Sequence, residues 1–269
     1  MSDVTAPTPP PEAKRRPGIA GILFAAFWAA VLLGILSYLY ANWRPELFAR
    51  YGFNYLEGLW VTVSLVLASF VIGAVLSLPV AFARTARSRF ATVPAFAFVY
   101  FFRGTPLIAQ LFLIYYGLGE FRPFFDSIGL WWFFRDAWYC ALFAMTLNTA
   151  AYQAEIVRGA IDSVPRGQWE GGRSLGLSRP VIFARIIAPQ AMIVALRPYA
   201  NELILLIKGS AIVAIITVYD LFGVARQTFA RTFDIQAYVW AAILYLLVVE
   251  VLRRLTNLAE ARLTRHLKR

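Results

Sequence analysis

The side chains able to do chemistry sit mostly where water should be scarce. Arg103, Thr105 and Gln110 lie in one apolar run, and Asn201, Glu202 and Lys208 lie in another. An ionisable group inside a membrane-spanning helix is costly and usually faces a bundle interior or a water-filled path. Pro106 should bend the first run and free a backbone carbonyl. Arg103 then has two readings: it lines a bent, polar segment, or the span starts near Pro106 and Arg103 snorkels to the interface. Glu202 and Lys208 are separated by about 120° on a straight helix, so they should not pair directly. Their partners must come from another helix or a polar cavity, which leaves a pathway or subunit-interface role open beside a structural ion pair. Glu155, near the end of a third run, has Arg158 at i+3 and reads as structural.

Other chemistries find no support. The chain has one cysteine, Cys140, inside an apolar segment, and one histidine, His266, in a basic tail. A His/Cys metal site, a Cys–His nucleophile pair and an intrachain disulfide are all excluded. No paired acid and base appears, and no GxxxxGK[ST] phosphate loop is present. No catalytic residue, metal or cofactor is expected.

The elements that must hold these groups are apolar helices. Hydrophobic residues make up 60% of the 269, charged residues only 15%, and the mean hydropathy is +0.62. A soluble domain could not solvate such a surface, so the class is integral membrane protein. The net charge of +11 does not point to nucleic acid, because the basic residues are spread between apolar runs. A span needs about 20 mostly apolar residues. Six segments qualify: 19–40, 56–82, 94–118, 137–157, 192–218 and 236–252. The Pro-rich, basic residues 1–18 read as a disordered tail, and the first apolar run is too long for a signal-peptide core. With the N-terminus in the cytoplasm, 17 of the 26 Lys and Arg fall on the cytoplasmic side and six on the other. That asymmetry places both termini in the cytoplasm, the basic residues 256–269 included. Glu57 should open the second span. Asp126, Asp136, Asp220 and Asp234 are expected as solvated charges in or near external loops, and the aromatic stretch 121–136 as a helix along the membrane surface.

Between the fourth and fifth spans lies a basic connection punctuated by Gly and Pro, residues 158–190. Pro165 fits the first turn of a short helix over 166–175, which Gly176 would end in the left-handed conformation. Ser178 would cap a second helix with Pro180 in its first turn, running to about Ala188, where Pro189 should break or bend it. The result is a helical hairpin beside the bilayer. Gly171 and Gly172 each cost about 1 kcal/mol relative to Ala within the first helix. Close approach by another surface would justify that cost, and Trp169, Leu175 and Leu177 would suit a partner's groove.

Glu170-Gly171-Gly172, Gly176 and Ile186-x-Ala188-Pro189 resemble the cytoplasmic signature of ABC importer permeases, Glu-Ala-Ala, three residues, Gly, nine residues, Ile-x-Leu-Pro. The spacing is kept, with Gly171, Gly172 and Ala188 departing from it. FRGTPLIAQLFLIYYGL (102–118) and NTAAYQAEIVRGA (148–160) are similar to segments of the polar amino-acid branch. Lys208-Gly209-Ser210-Ala211 stands where that branch has Lys-Asp-Thr-Ser, so Gly209 replaces its acid. The similarity covers about residues 52–255 and looks closest to the histidine, basic amino-acid and opine group.

The resemblance implies an all-α integral membrane fold: six transmembrane helices, with a five-helix type I importer-permease core after an extra helix at 19–41. It implies an ATPase subunit dimer docked on coupling helices at about 164–189. Arg166, Gln168, Trp169, Glu170, Gly171, Gly172, Arg173 and Gly176 would shape or line that contact. It also implies a second permease chain (the same or a different one), an external substrate-binding protein and surrounding lipid in a bacterial inner membrane. Arg103, Thr105, Gln110, Asn201, Glu202 and Lys208 would be candidates for the route of a polar, basic or opine-like amino acid. A stand-alone channel or secondary carrier, driven by an ion gradient without an ATPase, is the rival reading.

Overall fold

Long apolar runs with their breaks at Pro and Gly fold as helices joined by short turns. The computed structural model describes residues 18–263, and no strand occurs among them. The expected tails 1–17 and 264–269, His266 with them, lie outside the described residues.

Two units separate. The first holds α1 (Ile19–Ala41), a 23-residue helix of mean hydropathy 2.5 with no buried residue. Apolar side chains cover it on all sides, as in a helix surrounded by lipid.

The second unit, residues 49–269, carries the remaining fold. α2 (Pro45–Arg84) is followed by α3 (Arg89–Gly104), which ends at a break. α4 (Leu107–Phe112) leads into a π segment (Leu113–Gly117) and a 3-10 turn (Leu118–Phe121). Two short helices, α5 (Arg122–Ser127) and α6 (Trp131–Phe134), fill the aromatic stretch where one helix was expected. α7 (Ala137–Asp162) is the central post, packing on α3, α4 and α10. The hairpin is α8 (Arg166–Ser174) and α9 (Arg179–Ile182), and α9 passes through a π segment (Phe183–Ile187) into α10 (Ala188–Ser210). A 3-10 stretch (Ala211–Ile216), α11 (Leu221–Thr232) and α12 (Gln236–Leu263) complete it.

The main core joins Leu65 and Val66 of α2, Leu111 and Ile114, Cys140 to Met145 of α7, and Leu206 and Ile207 of α10. Cys140 is fully buried there as a small apolar group, its thiol donating to the Phe134 carbonyl at 3.3 Å.

Among the described residues three helices are long and apolar enough to cross a membrane: Ile19–Ala41, Ala49–Arg84 and Arg179–Ile216. The bent pair α3 and α4 makes a fourth if it counts as one span. α7 has 26 residues but falls short on composition. The reason is its position: Thr146, Asn148, Thr149 and Gln153 are buried among other helices, and the last three hydrogen-bond there to protein groups.

Several local expectations are corrected. Glu57 lies well inside α2, which begins at Pro45 and has Glu46 in its first turn. Asp220 is fully buried rather than solvated. It caps α11 by accepting from the Gly223 N–H at 2.8 Å and takes a second bond from the Tyr245 hydroxyl at 3.1 Å. Asp136 caps α7 through the Trp138 N–H, and Asp234 accepts from the Gln236 N–H.

Candidate functional site

Two places concentrate the polar residues: the hairpin and the break between α3 and α4.

The hairpin folds around its own small core. Ala160, Val164, Ile182, Ile187 and Ala191 are buried, with Trp169 and Phe183 packed against them. Pro165 stands one residue before α8, in the capping position rather than in the first turn. α8 ends in two bonds, from the Gly176 N–H to the Arg173 carbonyl (2.9 Å) and from the Leu177 N–H to the Gly172 carbonyl (3.1 Å). That paired closure requires a left-handed residue at position 176, and Gly176 supplies it at φ +71°.

The paired glycines differ in purpose. A Cβ on Gly172 would stand 2.8 Å from Ile182, so α9 closes directly onto the α8 backbone there. Gly171 faces open space. The close approach expected of a partner is made, at Gly172, by the chain itself. Trp169 is likewise partly spent inside, stacked on Phe183 at 6.5 Å between ring centroids. Leu175, 78% exposed, remains free, as do the polar faces of Arg166, Gln168, Glu170 and Arg173. A groove of about 1000 Å³ runs beside them, bordered by Phe82 and Arg87 on the α2 side.

Pro189 does not break the second arm. It occupies the first turn of α10, directly after the π segment. A proline clashes with the carbonyl four residues back and cannot donate to it. Widening the preceding turn removes that conflict, so the hairpin's second arm and the span form one 38-residue helix, Arg179–Ile216.

At the other place, α3 and α4 meet at an angle of 108° across Thr105 and Pro106. Pro106 has no N–H to give the Phe102 carbonyl, and in an apolar interior an orphaned carbonyl is expensive. Two side-chain amides replace it. Gln110 Nε2 donates to the Phe102 carbonyl at 2.9 Å, and Asn148 Nδ2 donates to the same oxygen at 3.0 Å. Gln110 also donates to Thr105 Oγ1 (2.8 Å) and accepts from Asn148 (3.0 Å). The break is thus filled by a closed polar network, with Gln110 only 2% exposed.

At the next residue of α7, Thr149 Oγ1 donates to Glu202 Oε1 at 2.9 Å and accepts from Gln153 Nε2 at 3.0 Å. Gln153 reaches on to the Phe70 carbonyl of α2 at 3.1 Å. The partner that Glu202 lacked on its own helix is therefore a hydroxyl on α7. Asn201 is exposed beside it. Lys208 points elsewhere, into a cavity of about 290 Å³ with Phe222, Tyr238 and Tyr245. Of the six residues picked out in the spans, Arg103, Thr105 and Gln110 gather at the break, Glu202 joins the neighbouring network, and Asn201 and Lys208 stand apart.

Reasoning from single residues passed over Asn148, Thr149 and Gln153. Their spacing of one and four within an apolar run puts them on one side of a helix, and that signal was available. Glu155 lies between the two places. It pairs with Arg158 at 2.8 Å, as the spacing indicated, and also with Arg84 of α2 at 3.1 Å and Arg103 of α3 at 3.9 Å. The Glu155 bond raises the Arg158 pKa above its ordinary value. Among the described residues no His, Cys, Asp or Glu cluster forms a metal site.

A helical membrane protein with a self-contained polar hairpin and a broken span is a transport component in outline, and the comparisons specify which. Residues 71–265 match the family model described as "binding-protein-dependent transport system inner membrane component". The nopaline transport system permease protein NocM of Agrobacterium fabrum is 41% identical over 208 residues, 77% of this chain and 86% of that one. The histidine/lysine/arginine/ornithine transport system permease protein HisM of Escherichia coli is 38% identical over 235 residues, 87% of this chain and 98% of that one. A crystal structure of an amino acid ABC transporter with histidines superposes at TM-score 0.72 and 30% identity, covering 80% of this chain and 96% of its own. The MetNI methionine ABC transporter in an inward-facing conformation shares the fold at TM-score 0.64 and 21% identity.

The chain belongs to the family of binding-protein-dependent transport system inner membrane components. It is a multi-pass membrane protein, the permease component of an ABC importer and not an enzyme. This membership decides against a stand-alone carrier or channel.

Proposed function

We propose that this permease carries basic amino acids or opine-like compounds, delivered by an external binding protein and driven by an ATPase pair docked on the α8–α9 hairpin. Relatives named for the transport of nopaline and of histidine, lysine, arginine and ornithine support that class. In this reading six segments cross the bilayer: α1, α2, the α3–α4 pair, α7, α10 and α12. Both termini face the cytoplasm, following the excess of basic residues on that side. A second permease chain, identical or homologous, completes the pathway, with lipid around it.

The observation that carries the docking assignment is the division of labour within the hairpin. Its apolar residues close on each other, while Arg166, Gln168, Glu170 and Arg173 stay exposed beside a groove of about 1000 Å³. Such a preformed face, with Glu170 between Arg166 and Arg173, presents charges of both signs that a protein partner can match. Arg103, Thr105, Gln110, Asn201, Glu202 and Lys208 are the residues to probe for the substrate route. Reconstitution with the ATPase and binding protein tests the whole: uptake should require ATP and should be abolished by Gly176→Asp, which puts a side chain where φ is +71°. Uptake without ATP, or uptake undiminished by that change, refutes it.

A further inference from the structure

Glu155 stands where three helices meet before the chain enters the hairpin. Its carboxylate, 14% exposed, takes Arg84 from the last turn of α2, Arg158 from one turn further along α7, and Arg103 from the last turn of α3. These three contacts are unequal. Arg158 holds both carboxylate oxygens, at 2.8 to 3.2 Å, and is itself fixed by Asp162 at 2.8 Å. Arg84 holds one oxygen at 3.1 Å. Arg103 reaches it only at 3.9 Å, with its side chain 43% exposed and its guanidinium lying over the Tyr152 ring at 5.1 Å.

A cavity of about 320 Å³ lies at this junction, lined by Arg84, Arg103, Tyr152 and Glu155, so the loosest arm also has room to move. Arg103 directly precedes Gly104 and the 108° break. Seven residues separate Glu155 from the end of α7, after which Ser163 to Pro165 lead straight into α8. A displacement of the hairpin along α7 is therefore delivered to Glu155, and from there to the broken span through Arg103.

We infer that Glu155 is the positioning residue that ties the α3–α4 break to the hairpin, with Arg84 and Arg158 as its fixed arms and Arg103 as the arm that lets go and re-forms during transport. Neither residue need touch the substrate for this role. A contact at the outer limit of an ion pair, half in water, costs little to break, whereas the two short pairs keep the carboxylate neutralised throughout. This rests on the importer reading given above.

The test uses the complete transporter with its ATPase and binding protein in liposomes, reading substrate moved per ATP hydrolysed at saturating substrate, and the half-saturating concentration separately. Wild-type uptake that needs no ATP would sink the importer reading itself, before any variant is compared. With the wild type active, Arg103→Gln should lower substrate per ATP by about two- to fivefold, the scale of a half-exposed ion pair, and Arg103→Lys should restore most of it. Glu155→Gln should do the same; if it fails to assemble, Arg103→Gln decides alone, because it leaves the Arg84–Glu155–Arg158 contacts in place. A ratio unchanged in Arg103→Gln overturns the inference. So does a raised half-saturating concentration with the ratio intact, which would make Arg103 a substrate contact instead.

Discussion

The hairpin and the α3–α4 break use polar residues in opposite ways. At the break the amides are spent inside the protein: Gln110 and Asn148 share the Phe102 carbonyl and bond each other, and both are buried. In the hairpin the core is apolar and the polar side chains of α8 point outward, with Leu175 exposed beside them. The first arrangement fixes a distortion that the backbone alone could not sustain in an apolar interior. The second leaves a rigid element with an open face. Polar residues at the break are thus chiefly a matter of stability, and those on α8 chiefly a matter of assembly.

The sharpest way to break that contrast is Gln110→Leu. It removes one of the two donors to the Phe102 carbonyl, both bonds to Thr105 and an acceptor from Asn148, while Asn148 still serves Phe102. A loss of about 2 kcal/mol is expected, within the range for lost bonds to buried polar groups that keep one partner. Thermal unfolding of the purified chain in detergent measures it. An unchanged melting temperature would mean that the break is held by packing and not by its amides.

Gly172→Val comes next, because it tests whether the hairpin has a core of its own. The new side chain begins 2.8 Å from Ile182, and overpacking of this kind costs about 1 to 3 kcal/mol. The damage should stay local, seen as loss of protease resistance around residues 166–187 while the rest of the bundle melts as before. Gly171→Ala is the control: its Cβ meets nothing within 4 Å. If both substitutions behave alike, the glycine pair serves a partner and not the closure of α8 on α9.

How far each region could be read in the chain follows from the range of its interactions. Hairpin signals are local: Gly176, Pro180 and the spacing of the two arms are fixed within a few residues, and they appear as expected. What failed there was the reason for Gly172, which depends on Ile182 ten residues away, and the effect of Pro189, which the π segment absorbs. The bend at Pro106 was legible for the same local reason, but the identity of its satisfier was not. Asn148 lies 46 residues from the carbonyl it serves and meets it only because α7 crosses the end of α3. Asp220 misled the reading for the same cause: its residue type and position suggest a loop charge, and only the approach of Tyr245 from α12 shows a buried cap. Family resemblance, carried by the hairpin motifs, reached the importer class without needing any of these contacts.

The smallest expected effect on stability is the most informative about function. Arg166 and Arg173 are exposed on α8, and truncating exposed side chains away from caps and buried networks changes stability by no more than about 0.5 kcal/mol. Arg166→Ala and Arg173→Ala should therefore melt like the parent chain. Each should nonetheless weaken association with the ATPase subunit by roughly tenfold, the effect of losing one well-placed contact at a partner surface, measurable by co-purification at graded salt. Rising ionic strength should weaken the parent complex more than the variants, since the lost interaction is charged and screened. A variant that melts lower yet holds the ATPase normally would place its arginine with Gln110, among residues that hold the fold. A variant that melts normally and releases the ATPase assigns α8 to the docking face, and the salt response then separates a charged contact from a merely bulky one.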